Sequence, residues 1–222
     1  NAVAITGDHD QLTAALVTAG TKVSVSDATV TVNDADATGI TAAELSAIGG
    51  ATTGTVTVTN AVAITGDHDQ LTAALVTNGT KVAVSDAAVT INDADAVTVS
   101  ATELSDIGGA TTGDVTVTNA LAVTGDHDQL TAALVTAGTK VEVTDVAVTV
   151  NDADAVAITA AELSAIGGAT TGTVTVTNAV AITGDHDQVT AALITSGTKV
   201  AVTDAAVTIN DSDATAITAA EL

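Results

Sequence analysis

Pairs of aspartates separated by one residue recur along the chain and are its strongest candidates for chemistry. Four pairs lie in Asp-His-Asp segments: Asp8/Asp10, Asp67/Asp69, Asp126/Asp128 and Asp185/Asp187. Four more lie in Asn-Asp-x-Asp segments: Asp34/Asp36, Asp93/Asp95, Asp152/Asp154 and Asp211/Asp213. Two carboxylates about 5 Å apart repel each other by roughly 3 kcal/mol at an effective dielectric constant of about 20. Ca²⁺ would relieve that repulsion, because it accepts about six to eight oxygen ligands without strict geometry. Calcium binding is therefore the first hypothesis.

Helix capping is the simpler role for the Asp-His-Asp pairs. Asp67 and Gln70 have the spacing of a capping box, and Asp69 falls in the first helical turn, where the helix dipole favours negative charge. In the other half of each repeat the capping box falls on Thr41/Glu44, Ser100/Glu103, Thr159/Glu162 and Thr218/Glu221. The Asn-Asp-x-Asp acids then have no local structural role, which makes them the leading calcium candidates. A plain Asx turn is the alternative.

Each Asp-His-Asp segment contains a histidine (His9, His68, His127 and His186). One imidazole per repeat cannot assemble a two-histidine metal site, so a solvated residue at a helix N-terminus is the favoured interpretation. The sequence has no cysteine and offers no supported serine nucleophile or phosphate-binding glycine loop. Its candidate residues recur in every repeat, whereas catalysis uses one asymmetric constellation. We therefore expect a protein that is not an enzyme.

These residues belong to a 59-residue repeat. Asn1, Asn60, Asn119 and Asn178 open almost the same sequence, which gives repeats 1–59, 60–118, 119–177 and an incomplete 178–222. A period of this length indicates a stacked repeat architecture. We expect one continuous structure over residues 1–222, and the incomplete fourth repeat suggests a section of a longer array.

Composition narrows the fold and the partners. Hydrophobic residues make up 46% of the chain, yet Phe, Trp, Tyr, Met, Cys and Pro are all absent. A core of Val, Ile, Leu and Ala alone favours a narrow solenoid over a thick globule. The net charge of −23, with only four lysines and no arginine, argues against nucleic acid and anionic membranes as partners. No apolar run approaches the roughly 20 residues of a membrane span.

Within a repeat, two similar halves are recognisable. Val56, Val58, Val62 and Ile64 alternate with small polar residues, which predicts two short strands meeting at a corner, with these four side chains inward and Thr57, Thr59, Ala63 and Thr65 outward. A short helix should follow, with Leu71 and Leu75 on its buried face, and Leu104 and Ile107 should play that part in the second half. The first half aligns with the second through Val56 and Val82, and the second half aligns with the next repeat through Val82 and Val115.

These halves predict the fold class. We expect a β-solenoid with two coils per 59-residue repeat, parallel sheets along the axis and short helical segments. Corner residues such as Asn60 and Asp86 should form an internal hydrogen-bond ladder that closes the bend. The outward Thr57 and Thr59 are typical of ice-binding surfaces, but Ala83 and Ser85 replace them in the other half, so we expect an interrupted threonine lattice.

Residues 40–54, Ile-Thr-Ala-Ala-Glu-Leu-Ser-Ala-Ile-Gly-Gly-Ala-Thr-Thr-Gly, and the Val-Thr-Val-Thr at 56–59 resemble tandem repeats of giant secreted bacterial surface proteins. Cyanobacterial haemolysin-like, adhesin and surface-layer proteins are of this type. The resemblance is compositional and covers the whole chain. It implies a passive extracellular stalk, coat or filament, often calcium-dependent. The nonapeptide calcium motif Gly-Gly-x-Gly-x-Asp is absent, since residues 49–54 lack its Asp.

The resulting functional expectation is a structural protein, extracellular or on the cell surface, that forms a stiff stalk or filament. Exposed strand edges at both ends should stack on neighbouring segments, which predicts end-to-end self-association into a homo-oligomer or filament. Bound calcium would stabilise it. The alternative is a calcium-dependent adhesin or a module that binds a flat surface, including ice. Neither hypothesis involves nucleic acid or membrane insertion.

Overall fold

A computed structural model describes residues 3–212 and 216–218. Over these residues the chain forms seven helices and fifteen strands. The helices are α1 (His9–Leu16), α2 (Ala42–Gly49), α3 (His68–Leu75), α4 (Ala101–Gly108), α5 (His127–Leu134), α6 (Ala160–Gly168) and α7 (His186–Leu193). The strands are β1 (Ala4–Gly7), β2 (Thr29–Val32), β3 (Gly39–Thr41), β4 (Val56–Val58), β5 (Ala63–Gly66), β6 (Ala88–Ile91), β7 (Thr98–Ser100), β8 (Val115–Val117), β9 (Ala122–Gly125), β10 (Ala147–Val150), β11 (Ala157–Thr159), β12 (Val174–Val176), β13 (Ala181–Gly184), β14 (Val200–Ala201) and β15 (Ala206–Ile209).

The chain divides into two compact units. Unit 1 comprises residues 1–93 and 106–118, and unit 2 comprises residues 94–105 and 119–222. Within the described residues, unit 1 contains the sheets β1-β2-β4 and β3-β5-β6-β8. Unit 2 contains β14-β12-β10-β9-β7 and β11-β13-β15. The pairs between named strands are all parallel.

The predicted β-solenoid, with two coils in each repeat, is wrong. The chain is an α/β fold in which four parallel sheets of three to five strands, counted over the described residues, alternate with seven helices. The physical reason is the pairing register. Gly39 pairs with Ala63 and Ala63 with Ala88, whereas the residue equivalent to Gly39 in the next repeat is Thr98. Two successive pairings fall short of one repeat, and a third leads past Thr98 to β8, so equivalent strands of successive repeats do not share a sheet.

The equivalent strands β1, β5, β9 and β13 accordingly lie in four different sheets. Of the two predicted alignments, the one of Val56 with Val82 is found, because the neighbouring Thr57 forms an isolated parallel pairing with Ala83. Val115 pairs with Val89, so the predicted alignment of Val82 with Val115 is wrong.

The core is aliphatic, as its composition requires. Val56, Val58, Val62 and Ile64 are buried, which confirms the predicted inward positions. Leu71 and Leu75 of α3 and Leu104 and Ile107 of α4 are also buried. Helices such as α3, with eight residues, and α6, with nine, are too short to persist alone in water, so burial of these faces stabilises them.

Glycines allow close backbone approaches at the ends of the second helix of a repeat. In α6 a Cβ added to Gly167 would overlap the backbone carbonyl of Thr198, whereas one added to Gly168 would lie 3.5 Å from the Thr198 methyl carbon. The same arrangement holds for Gly49 and Thr80 in unit 1. The first glycine of each Gly-Gly pair is therefore needed for packing, and the second is not.

Candidate functional site

The histidine of each repeat is paired with the first aspartate of an Asn-Asp-x-Asp segment. His9 Nδ1 lies 2.6 Å from Asp34 Oδ1, and the His9 backbone N–H donates to Asp34 Oδ2 over 2.8 Å. Both carboxylate oxygens therefore bind the same histidine residue. The arrangement recurs with the same 2.6 Å side-chain distance in His68/Asp93, His127/Asp152 and His186/Asp211.

Sheet register and helix capping together create this histidine–aspartate pair. Asp8 caps α1 and receives the Gln11 N–H, so His9 is the first helical residue and its N–H has no partner within the helix. Strand β2 pairs with β1 so that Gly7 lies opposite Val32. Two positions further along, Asp34 reaches the N-terminus of α1, where the helix dipole favours a carboxylate.

The pair is largely shielded from solvent. The Asp34 side chain is 4% exposed and that of His9 is 15% exposed. On the other side of the ring, His9 Nε2 lies 3.7 Å from the carboxylate of Asp10, which is 87% exposed. The imidazole thus stands between one buried and one solvated carboxylate. The predicted solvated histidine is wrong, because the parallel register places a carboxylate against its Nδ1 atom.

The Asn-Asp-x-Asp segments also bind the strand corner that follows in the sheet. Asn60 Nδ2 donates to the Asp34 backbone carbonyl over 2.5 Å, and the Ala61 N–H donates to Asp36 Oδ1 over 3.2 Å. The Ala37 N–H donates in turn to the Ala61 carbonyl over 2.8 Å. Asn60 does bind at the corner, as predicted, but to a loop carbonyl earlier in the chain rather than to another corner side chain.

The same loop contacts recur in unit 2. The Ala120 N–H donates to Asp95 Oδ1 over 3.2 Å, and the Ala179 N–H donates to Asp154 Oδ1 over 3.1 Å. Asn178 donates to the Asp152 carbonyl over 2.5 Å. Each complete loop therefore connects an earlier helix start with a later strand corner.

The expectation that the Asn-Asp-x-Asp acids lack a structural role is thus wrong. The first acid of each segment accepts from a histidine: Asp34, Asp93, Asp152 and Asp211. The second acid accepts from the N–H of a strand corner in the three segments where it is described: Asp36, Asp95 and Asp154. The physical reason is again the register, which brings donors from neighbouring segments to carboxylates that have no local partner.

The predicted capping boxes are present where the residues are described. Asp8, Asp67, Asp126 and Asp185 cap their helices with Gln11, Gln70, Gln129 and Gln188. Thr41 and Thr159 do so with Glu44 and Glu162, and Ser100 exchanges the same bonds with Glu103. The last predicted box cannot be assessed, because Glu221 lies outside the described residues. The exposed Asp10, Asp69, Asp128 and Asp187 occupy first helical turns, as predicted.

Two opposing effects set the charge state of the histidines. Burial lowers the pKa of His9, but the hydrogen bond to Asp34 and the negative charges of Asp34, Asp10 and Glu44 outweigh it, so the pKa is raised overall. His127 shows the same balance, with a raised pKa. The hydroxyl and backbone N–H of Thr41 lower the pKa of Glu44, and the His186 hydrogen bond lowers the pKa of Asp211.

These shifts predict maximum stability at mildly acidic pH. A histidine with a raised folded-state pKa contributes stability that is fully present below about pH 6.5 and is lost as pH rises through the folded-state pKa. Glu44 and Asp211, with lowered pKa values, contribute stability that is lost as pH falls below about 4. We expect the thermal midpoint, followed by circular dichroism at constant ionic strength, to decline between about pH 6 and pH 8.

A variant with asparagine at all four histidine positions is the control for this prediction. The chain contains no cysteine and no tyrosine, so histidine is the side chain that titrates between about pH 6 and pH 8. The midpoint of the variant should not change over that range. A wild-type midpoint that rises with pH would contradict the assignment.

The predicted calcium ligands have hydrogen-bond partners, but calcium binding itself stays a prediction. In the part of the chain that is described, no three His, Asp or Glu side chains are grouped so that they could hold a metal ion. Each pair, such as Asp93 and Asp95, instead directs its two carboxylates to different protein donors. Asp213 lies outside the described part.

A chelator experiment tests the calcium prediction. If the acids do bind calcium, the thermal midpoint in excess calcium should exceed that in excess chelator by several degrees, because a ligand that binds only the folded state stabilises it. Equal midpoints would assign the acids to capping and loop contacts.

Outward threonines form rows across the sheets. In unit 1 the register aligns Thr41, Thr65, Thr90 and Thr116 across one sheet. Thr6, Thr31 and Thr57 align in the other, where Ala83 follows Thr57 as predicted. The expected interruption is therefore confined to the end of a row, because threonines pair with threonines at the intervening strands. Each row presents hydroxyl and methyl groups on neighbouring strands, about 4.8 Å apart.

Open grooves also recur. One of about 500 Å³ in unit 1 is lined by residues 49–54 and Lys81. An equivalent of about 410 Å³ in unit 2 is lined by residues 167–172 and Lys199. Each contains a single lysine, so neither groups several cationic side chains.

Comparison with known proteins adds no assignment. No protein-family model, curated protein or solved structure matches the chain. Among the described residues, no helix is long and apolar enough to cross a membrane.

Proposed function

We propose that the chain is a structural repeat segment of an extracellular or cell-surface assembly, which works by cohesion between its segments and by association with further segments. The observation that supports this most directly is the fourfold recurrence of the histidine–aspartate pair. Each copy connects two distant segments through two hydrogen bonds to one carboxylate. The most distinctive polar side chains of the repeat thus hold the chain to itself.

Force transmission provides the physical argument. Parallel neighbouring strands and the loop contacts of Asp34 and Asp36 hold each segment on both sides. Separating such a segment requires several hydrogen bonds to break together. The net charge of −23 would favour solubility and discourage collapse onto other acidic surfaces.

Single-molecule force spectroscopy tests this proposal. The chain, held between handles at its two ends, should unfold in discrete force peaks, and one repeat should release about 200 Å, since an extended residue spans about 3.3–3.6 Å. Replacing Asp152 with alanine should lower the force of at least one peak. Extension at low force without peaks would remove the structural role.

The threonine rows support a second candidate, a module that binds a flat ordered surface such as ice. Thr57 and Thr116 are exposed ends of two such rows. Replacing both with a bulky residue should abolish ice shaping without changing the thermal midpoint. A wild-type chain that does not shape growing ice crystals would eliminate ice as the surface.

A further inference from the structure

Strand β1 differs from its three equivalents in what covers it. Val3 is 57% exposed, whereas the equivalent Val62, Leu121 and Val180 are at most 1% exposed. Ile5 is half-buried, whereas Ile64, Val123 and Ile182 are buried. Apolar side chains that are covered in the later repeats are therefore accessible at β1.

The covering strand in the later repeats is known. Strands β3, β7 and β11 pair in parallel with β5, β9 and β13, with Ile40 opposite Ile64 and Ile158 opposite Ile182. The Ala63 and Ala181 N–H groups donate to the carbonyls of Thr38 and Val156. Among the described residues, β1 pairs only with β2. The edge that corresponds to these contacts is thus open.

Backbone direction shows which groups that edge presents. The Val3 and Gly7 carbonyls accept from Thr29 and Asn33, so these residues face β2. Successive residues of a strand direct their backbone groups to opposite sides. The N–H and carbonyl groups of Ala4 and Thr6 therefore point to the open side.

A sequence that fits this edge occurs in the same chain. Residues 216–218, Ala-Ile-Thr, are identical to β11 and occupy the corresponding position of the fourth repeat. Ala216 is exposed, and Ile217 is half-buried, whereas its equivalent Ile158 is 1% exposed. Residues 216–218 belong to no strand in the described structure.

We propose that residues 216–218 of one copy add as a parallel strand to the β1 edge of a second copy, with Ile217 opposite Ile5. This inference rests on the proposed structural role and names its partner as the chain itself. The register is the one that β11 and β13 adopt within the chain. Because the two surfaces differ, the contact is heterologous, and each copy has one surface of each kind, so assembly can continue beyond a dimer.

Charge sets the conditions of the test. Two copies of a chain with a net charge of −23 repel each other, and added salt reduces that repulsion by shortening the Debye length to about 3 Å at about 1 M. Sedimentation velocity of the 222-residue chain should show an average mass that rises with protein concentration and with salt.

Three variants make the test specific. Ala4→Pro removes the N–H on the open edge while leaving the face toward β2 intact, so this variant should lose self-association. Ile217→Asp should lose it as well. An equimolar mixture of the two variants retains one good surface of each kind and should give dimers that grow no further. Ala4→Ser keeps the N–H and should associate as the wild type does.

Circular dichroism of each variant should match the wild type, so that loss of association is not loss of folding. Wild-type chains that remain monomeric from low salt to about 1 M salt would overturn the proposal, as would an Ala4→Pro variant that associates fully. Either result, together with intact force peaks, would remove the interface and leave the structural role standing.

Discussion

Replacing Gly167 with alanine should lower the free energy of unfolding by about 3 kcal/mol. The added Cβ would overlap the carbonyl group of Thr198, which is backbone and cannot rotate away. Accommodation requires a shift of α6 or of the segment around Thr198. The loss should appear as a lower urea midpoint, followed by far-ultraviolet circular dichroism because the chain contains no aromatic residue.

The neighbouring glycine provides a matched control. A Cβ on Gly168 would lie 3.5 Å from the Thr198 methyl carbon, an ordinary contact. Alanine is preferred over glycine inside a helix by about 1 kcal/mol, so Gly168→Ala should be neutral or slightly stabilising. Equal losses for the two substitutions would show that helix propensity, rather than the close approach at Gly167, determines the result.

Replacing His127 with alanine should cost about 3 kcal/mol of stability. The Asp152 side chain is 4% exposed and would keep the backbone N–H of residue 127 but lose its ring partner. A buried carboxylate with an unsatisfied oxygen carries most of its desolvation cost without compensation. Denaturant titration at about pH 6 measures the effect, since the histidine contribution is greatest on the acidic side.

Asp128→Ala is the control for His127→Ala. Its carboxylate lies 3.6 Å from His127 Nε2 but is 86% exposed. Exposed ion pairs contribute about 0.2–1 kcal/mol, so removal of Asp128 should cost less than a third of the loss at His127. If Asp128→Ala were the more damaging substitution, the buried Asp152 would not be the principal partner of the imidazole.

The local features were predictable because they depend on neighbours in sequence. Capping boxes need only a short fixed spacing, and the pairs Asp67/Gln70 and Thr41/Glu44 match it. The inward positions of Val62 and Ile64 follow from alternation along a strand. Neither inference needs any knowledge of which strand lies beside which.

The histidine–aspartate pair was not predicted because the register was wrong by one position. Alignment of the halves on their aspartates places Asp67 opposite Asp93. Strand β5 pairs with β6 so that Ile64 lies opposite Val89, and that register puts His68 against Asp93. The apolar alternation contained the signal, since aligning Ile64 with Val89 gives the correct register.

The same error led to the wrong fold class. Two coils aligned through Val56, Val82 and Val115 would add up to one repeat, so that identical strands would stack in a single sheet. The observed pairings of Val89 with Ile64 and with Val115 do not combine in that way. Sequence repetition alone did not show that the pairing step and the repeat length differ, because the pairing step is set by tertiary packing.

The mismatch between the pairing step and the repeat length constrains how such a sequence can vary in copy number. Removing one whole repeat, residues 60–118, joins Thr59 to Asn119 and replaces every later residue by its equivalent. Removing one pairing step instead, such as residues 64–88, would join unlike segments and delete His68 while keeping its partner Asp93. Unequal recombination is therefore tolerated only in whole repeats, which gives the array a quantised length.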